Sequence, residues 1–389
     1  MKRELSSFDI MALLHEIKQE VVSSIIDNIY QINLSTLLLK LHKIGHVDRW
    51  LIIEAGVRFN LTSYSFEKPK SPPTFCRALR KYIKRGKITD LFQREFERII
   101  TFKIEGKTGI YFLTCEFFRE GNVILTDSEG TILHALHFRR MRDRNIIRGE
   151  KLLPPPTSGL NPQDLTLDEF RRIRDLKGMP LVRGLIKTVS IGGLYAEEAI
   201  ERAQLDKNRP CEELSDEEVM KLLDALREIV KEVCEEPEPQ IVLDEDGRYL
   251  DVVPVSLRRY SNFRKMFFES FNEAVDEYYS KRFLDVTSTE AVEDVEKEIS
   301  KYQAIIKKQK ADMERLKENI EEYRRIGDLI HVHANEIIHL KEIIRNYRDK
   351  GYSWEETASL LLEQKKSAES PYKYFHSVIP EKKALKIEI

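Results

Sequence analysis

From Val295 onward apolar residues return at alternating spacings of four and three: Val295, Ile299, Tyr302, Ile306, then Met313, Leu316, Ile320 and Tyr323, with Gln309 filling one slot. A repeat averaging 3.5 residues is the seam of a coiled-coil helix, one narrow stripe facing a partner while the other faces stay charged and wet. The flanking stretches "EDVEKEISKYQ" and "KKQKADMERLKEN" are almost wholly polar, as such outer faces require. At 1.5 Å per residue a helix over 290–330 extends on the order of 60 Å, too long for a globular core and suited to an arm. A second series, Ile337, Leu340, Ile344 and Tyr347, predicts a return helix, with Gly327 and "HVHANE" (331–336) near the joint. The expectation is an antiparallel coiled coil within 259–365, its tip near Ile326–Glu336.

The first 150 residues carry a different period. A helix is expected over Ser7–Gln19, capped by Ser6 or Ser7, with Ile10, Leu13, Leu14 and Ile17 on one face. Short β-type runs follow at 25–33, 35–42, 49–56, 57–64, 98–106, 110–118 and 122–136, the last turning at "DSEG". Many short strands with few helices predict an antiparallel sandwich or partial barrel. The segment "QREFERII" (93–100) reads as strand-like and carries Glu97 beside Arg98.

"RGEKLLPPPTSGLNP" (148–162) breaks the chain, and helical patterns follow at 166–176, 180–188, 194–205 and 215–234. "VSIGG" (189–193) joins two of these helices, so Ser190, Gly192 and Gly193 suggest a helix-hairpin-helix able to offer backbone N–H groups to a phosphate. The same residues also suit a plain structural turn. "PQIVLDEDGRYLDVVPVSL" (239–257) predicts a β-hairpin. The fold class is thus α+β, divided as 1–160, a helical domain with a β-hairpin at 161–258, the arm at 259–365, and a linker at 366–389.

Charge separates the parts. The chain has a net charge of −2, yet residues 1–150 hold 25 Lys/Arg against 18 Asp/Glu, and residues 201–300 hold 14 against 27. A basic front suggests a polyanionic partner for that part. Arg77, Arg80, Lys81, Lys84 and Arg85 recur at three- and four-residue spacings, as on one helix face, and Arg139, Arg140, Arg142, Arg144 and Arg148 form a second cluster. Scattered solubility charges are the alternative for either cluster. Asp9 suits a first helical turn, and Glu97–Arg98 suits an edge strand with solvated charges. The four cysteines form no CxxC, no apolar run approaches 18 residues, and neither a P-loop nor a dinucleotide fingerprint occurs. A helix would turn His333 away from His331 and His339, so no metal site is expected, and no cofactor. A cytoplasmic binding protein, with no membrane partner and no enzymatic activity, is the reading of the residues themselves.

Taken in order, "SSFDIMALLHEI", "GNVILTD", "LLPPPTSGLNP", the helix-hairpin-helix, "EYYSKRF" and "YRRIGDLIHVHANEI" resemble the NFACT family over essentially the whole chain. The resemblance implies a ribosome-associated quality-control factor that binds the large ribosomal subunit with a stalled peptidyl-tRNA, contacts tRNA and rRNA, and supports untemplated C-terminal tailing. It also implies an N-terminal fold similar to formamidopyrimidine-DNA glycosylases, and tRNA contacts at Asp9 and at Glu97–Arg98, where the family carries Asp-Arg. A quality-control partner at the coiled-coil tip and an RNA-binding domain beyond residue 389 follow from the same resemblance. Two other readings stand beside it: an inactive glycosylase relative binding nucleic acid generally, and a fibronectin-binding adhesin.

Overall fold

The computed structural model describes residues 1–157, 159–285, 289–367, 369–379 and 384–388, without the side chains of 282–298. They group into two compact units, 1–286 and 287–389.

The first unit opens on helix α1 (Ser7–Val21), started by a capping box in which Asp9 N–H donates to Ser6 Oγ and Ser6 N–H to the Asp9 carboxylate. Strands β1 (Ile25–Gln31), β2 (Thr36–His42), β3 (Arg49–Glu54) and β4 (Arg58–Thr62) form a meander. After helix α2 (Thr74–Ile83) come β5 (Lys87–Gln93), β6 (Ile99–Gly106), β7 (Gly109–Glu116), β8 (Asn122–Asp127) and β9 (Ile132–Ala135). All pair antiparallel in the order β4-β3-β2-β1-β5-β6-β7-β8-β9. The two meanders share only Ile25 opposite Lys87 in register, so the sheet is free to curl there. Its far parts approach each other: Gly56 N–H donates to Glu116 O at 3.0 Å, and the Phe59 and Phe117 rings lie 5.5 Å apart. Gly121 sits in this contact with φ +63°, where an added Cβ would fall 1.9 Å from Gly56 N, so only glycine fits.

Two features differ from expectation. Strand β5 carries a register shift between Ile88 and Asp90, which buries Ile88 and Leu91 at a spacing of three and hides the strand's period of two. "QREFERII" is not one strand. Gln93 ends β5, Ile99 begins β6, and Arg94–Arg98 is the turn between them.

A small hairpin, β10 (Arg139–Arg140) with β11 (Asn145–Ile146), precedes the helical part: α3 (Leu167–Phe170), α4 (Leu181–Thr188), α5 (Gly193–Arg202) and α6 (Asp216–Glu235). Strands β12 (Gln240–Leu243), β13 (Tyr249–Val253) and β14 (Arg264–Phe267) form a second sheet, and α7 (Phe271–Asp285) closes the unit. One core runs through all of it, joining Phe8, Phe102, Tyr195, Leu226, Val252 and Phe271. Helix α7, placed in the arm by sequence, belongs here, with Phe271, Ala274, Val275 and Tyr278 buried.

The second unit contains the long helix, α8 (Thr289–Val332), then α9 (Ala334–Asp349), α10 (Trp354–Lys365), β15 (Phe375–Ile379) and β16 (Ala384–Ile387). The arm helix forms; the antiparallel return does not. Seam residues Ile299 to Tyr323 are exposed, Tyr323 at 72%, and no described residue covers them. At His333 the helix kinks without reversing: His333 N–H donates to Leu329 O and Ile337 N–H to His333 O. No free tip therefore exists at 326–336. Leu340 and Ile344 of α9 pack on Leu361 and Phe375, so the second apolar series covers a small globular core. Residues 366–389, expected as a linker, supply the β15–β16 hairpin to that core.

Candidate nucleic-acid interface

The turn Arg94–Arg98 is closed by Glu97 N–H to Arg94 O (2.7 Å) and Arg94 N–H to Ile99 O (3.0 Å). Gln93 Nε2 donates to Glu97 O and to Ser7 O, both at 3.0 Å, pinning the turn to the start of α1. The Glu97 carboxylate accepts from Ser190 Oγ at 3.2 Å, and the Arg98 guanidinium pairs with Glu4. Ser190 is only 3% exposed, and its one hydroxyl proton is shared between the Glu97 carboxylate and Gly159 O at 2.9 Å. The predicted pair and the predicted hairpin are thus brought into direct contact.

Beside them lies a cleft of about 430 Å³ lined by Glu97, Arg98, Arg119, Asn122, Arg139 and Arg144, with Pro155 and Pro156 on its wall. Arg144 is held bidentately by Glu116 at 2.6 and 3.0 Å, both groups buried, which fixes one wall of the cleft. Arg139 pairs with Glu120 at 2.6 Å. Arg119, exposed and at φ 56°, has no side-chain partner among the described residues. A guanidinium-lined cleft of this kind suits phosphates and the edges of bases. Arg140 and Arg142 are exposed on the neighbouring hairpin. Sequence reading singled out neither Arg119 nor the prolines as site residues; "PPP" was legible only as a boundary.

Asp9 is elsewhere. It is 0% exposed, and its Oδ2 meets Lys2 Nζ at 2.8 Å, with Asp251 on the other side of the same ammonium at 3.2 Å. Burial pushes the Asp9 carboxyl up and would lower Lys2, but Asp251 and Asp9 together raise the ammonium well above its ordinary value. Asp9 therefore caps α1 and anchors the N-terminal segment, and does not face solvent.

The α2 patch is also rearranged. The helix ends at Ile83; Lys84 is already extended and Arg85 sits at φ 66°, because Gly86 begins a close approach to β6. Arg80 Nε donates to Ile29 O at 2.7 Å and lies over the Tyr30 ring, and Arg85 pairs with Asp27 at 2.7 Å. Arg77 and Lys81 are exposed. This patch does not join the cleft: Lys87 pairs with Glu105 near the end of β6, whereas Arg98 precedes its start.

In the hairpin, Gly192 caps α5 with ordinary dihedrals (φ −78°, ψ 164°) and no side-chain capping bond. An added Cβ at Gly192 meets nothing within 4 Å, and at Gly193 only Ile186 at 3.9 Å. Neither glycine is demanded by the fold, and the exposed N–H groups of α5 remain open to an approaching anion.

Residues 6–386 match the family profile described as NFACT N-terminal and middle domains. The chain belongs to the NFACT family. Among its relatives, the archaeal Rqc2 homolog aRqcH of Methanocaldococcus jannaschii is 35% identical over 375 residues, covering 94% of this chain and 55% of that protein. The human ribosome quality control complex subunit NEMF is 24% identical, covering 93% of this chain and 36% of its own length. This NFACT chain thus spans only about half of the first of these relatives and about a third of the second. The N-terminal part of the fibronectin/fibrinogen-binding protein from Streptococcus suis has the same fold (TM-score 0.58, 22% identity), covering 72% of this chain and 100% of that one. No described helix of the NFACT chain is long and apolar enough to cross a membrane.

Proposed function

We propose that this NFACT chain is a ribosome-associated quality-control factor that holds tRNA at the cleft beside Glu97–Arg98 and engages the large ribosomal subunit and its rRNA. The single observation carrying the reading is the meeting of the Glu97–Arg98 turn with the Ser190 hairpin at an arginine-lined cleft, in a chain matched nearly end to end by ribosome quality control subunits. Arg98, Arg119 and Arg139 supply phosphate contacts, and the open amides of α5 offer a further anchor. Asp9 acts through architecture, seating α1 and with it the base of the turn. Tailing of the nascent chain would follow from positioning tRNA; the cleft holds no nucleophile with an adjacent base, so the role is binding and orientation. The work is cytoplasmic, and the division at 160 would separate the sheet from the hairpin region. The likeness to a fibronectin/fibrinogen-binding protein supports the shared fold and nothing about this chain's ligand.

The test is tRNA binding by a Glu97→Ala/Arg98→Ala variant across a salt titration. Affinity should fall, and the slope of log Kd against log salt should drop by about one as one phosphate contact is lost. Unchanged affinity in a variant that melts like the parent overturns the assignment. Sedimentation with large subunits, for parent and variant, checks the ribosomal half of the reading.

A further inference from the structure

The turn that presents Glu97 and Arg98 contains no glycine, yet two successive residues in it are left-handed: Glu95 at φ 47° and Phe96 at φ 57°. Residues with a Cβ avoid this region, and a pair of them persists only where the surroundings impose it. The imposing contact is visible. Phe96 is 2% exposed, its ring meeting the edge of Phe8 at 5.0 Å and 82°, and Phe8 stacks on Tyr195 of α5 at 4.1 Å and 27°. Three rings therefore run from the turn, through α1, into the second helix of the hairpin motif. The residue after Phe96 is Glu97, whose carboxylate reaches Ser190 in the same hairpin.

We infer that Phe96 is a positioning residue: buried against Phe8, it holds the left-handed pair that aims Glu97 at Ser190 and Arg98 at the cleft, so that turn and hairpin act as one preorganised body. Phe96 touches no ligand itself. Ser190 is the second fastening, set directly on the acid. Without the ring, the turn relaxes toward right-handed or extended backbone, Glu97 leaves Ser190, and the guanidinium of Arg98 samples many directions. The inference rests on the tRNA reading above for its binding consequence, but its structural half stands on the contacts alone.

The experiment uses the whole chain, unfractionated tRNA as probe, and hydrogen exchange as a ligand-free measurement. Phe96→Ala should weaken tRNA binding about tenfold and speed exchange at the Glu97 and Ser190 amides, while Ile241 in β12 keeps its protection. In the Glu97→Ala/Arg98→Ala background, Phe96→Ala should cost no further affinity, because it acts only through that pair. Glu95→Gly, which eases the left-handed backbone and leaves the anchor, should keep affinity and raise the melting temperature. If Phe96→Ala does not fold, Phe96→Leu replaces it, with a smaller loss in the same direction. Additive loss in the double background, or unchanged exchange at Glu97 and Ser190, overturns the positioning role. If the Glu97→Ala/Arg98→Ala variant binds tRNA like the parent, the tRNA reading fails instead, and the exchange measurement still decides whether Phe96 positions the turn.

Discussion

Strand β6 carries a cationic region at each end, about 25 Å apart, and the two differ in how many of their charges are fixed. Before its first residue, cations and acids are fixed: Arg98 on Glu4, Glu97 on Ser190, Arg139 on Glu120, Arg144 bidentate on Glu116. At its far end Arg80 donates to Ile29 O and Arg85 pairs with Asp27, but Arg77 and Lys81 are exposed, Lys81 lying 5.2 Å from the Tyr82 centroid. Fixed charges discriminate between shapes because moving them breaks partners; loosely held charges follow any phosphate that comes near. On the proposed tRNA reading, the contrast would give selectivity to the cleft and general attraction to the exposed cations of α2.

The comparison breaks most visibly in stability. Arg144→Ala leaves the buried Glu116 carboxylate alone and should cost about 3–5 kcal/mol in urea unfolding, whereas Lys81→Ala should stay within about 0.5 kcal/mol. Similar costs would mean the two ends are not built differently. A smaller effect is expected from Arg77→Glu with Lys81→Glu: about tenfold weaker binding of every RNA tested, measured by filter binding, with equal losses across tRNA species. A loss confined to one species would transfer shape reading to α2. The finest distinction comes from Glu97→Asp, which shortens the reach to Ser190 by one methylene. Losing that hydrogen bond should cost about 0.5–1.5 kcal/mol of stability by thermal melting, with tRNA affinity reduced less than in the double-alanine variant.

What the sequence revealed and concealed has physical reasons. Alternation of apolar and polar residues exposed eight of the nine strands of the large sheet, and the serines before Phe8 marked the start of α1, because both signals are local. Strand β5 escaped because its bulge replaces alternation with a spacing of three. The turn at 94–98 was mistaken for strand because Phe96, Ile99 and Ile100 are all buried, and no glycine marks the left-handed residues. In the apolar series at 337–347, Leu340 and Ile344 are buried and Tyr347 packs beside them; a seam says what is covered, not by what, and the cover is α10 and β15. Asp9 shows the same limit for charge: an acid in a first helical turn reads alike whether it faces RNA or a buried lysine 2.8 Å away.

The tether of Lys2 also sets a clock. Its backbone N–H meets the Tyr278 hydroxyl at 2.8 Å, a contact spanning 276 positions, and its ammonium reaches Val252 O at 2.6 Å. A chain emerging from its own ribosome at about 5–20 residues per second must wait on the order of tens of seconds between exposing Lys2 and exposing Tyr278. During that interval Lys2 is already made, but Asp251 and helix α7, which complete its contacts, are not, so the first helix is made early and locked late. Contacts of such long sequence separation also form slowly once the chain is free. The segment around Lys2 is therefore made well before Tyr278 and becomes native only after it, so nascent copies pass through a state in which the sheet can form while this long-range contact is still open.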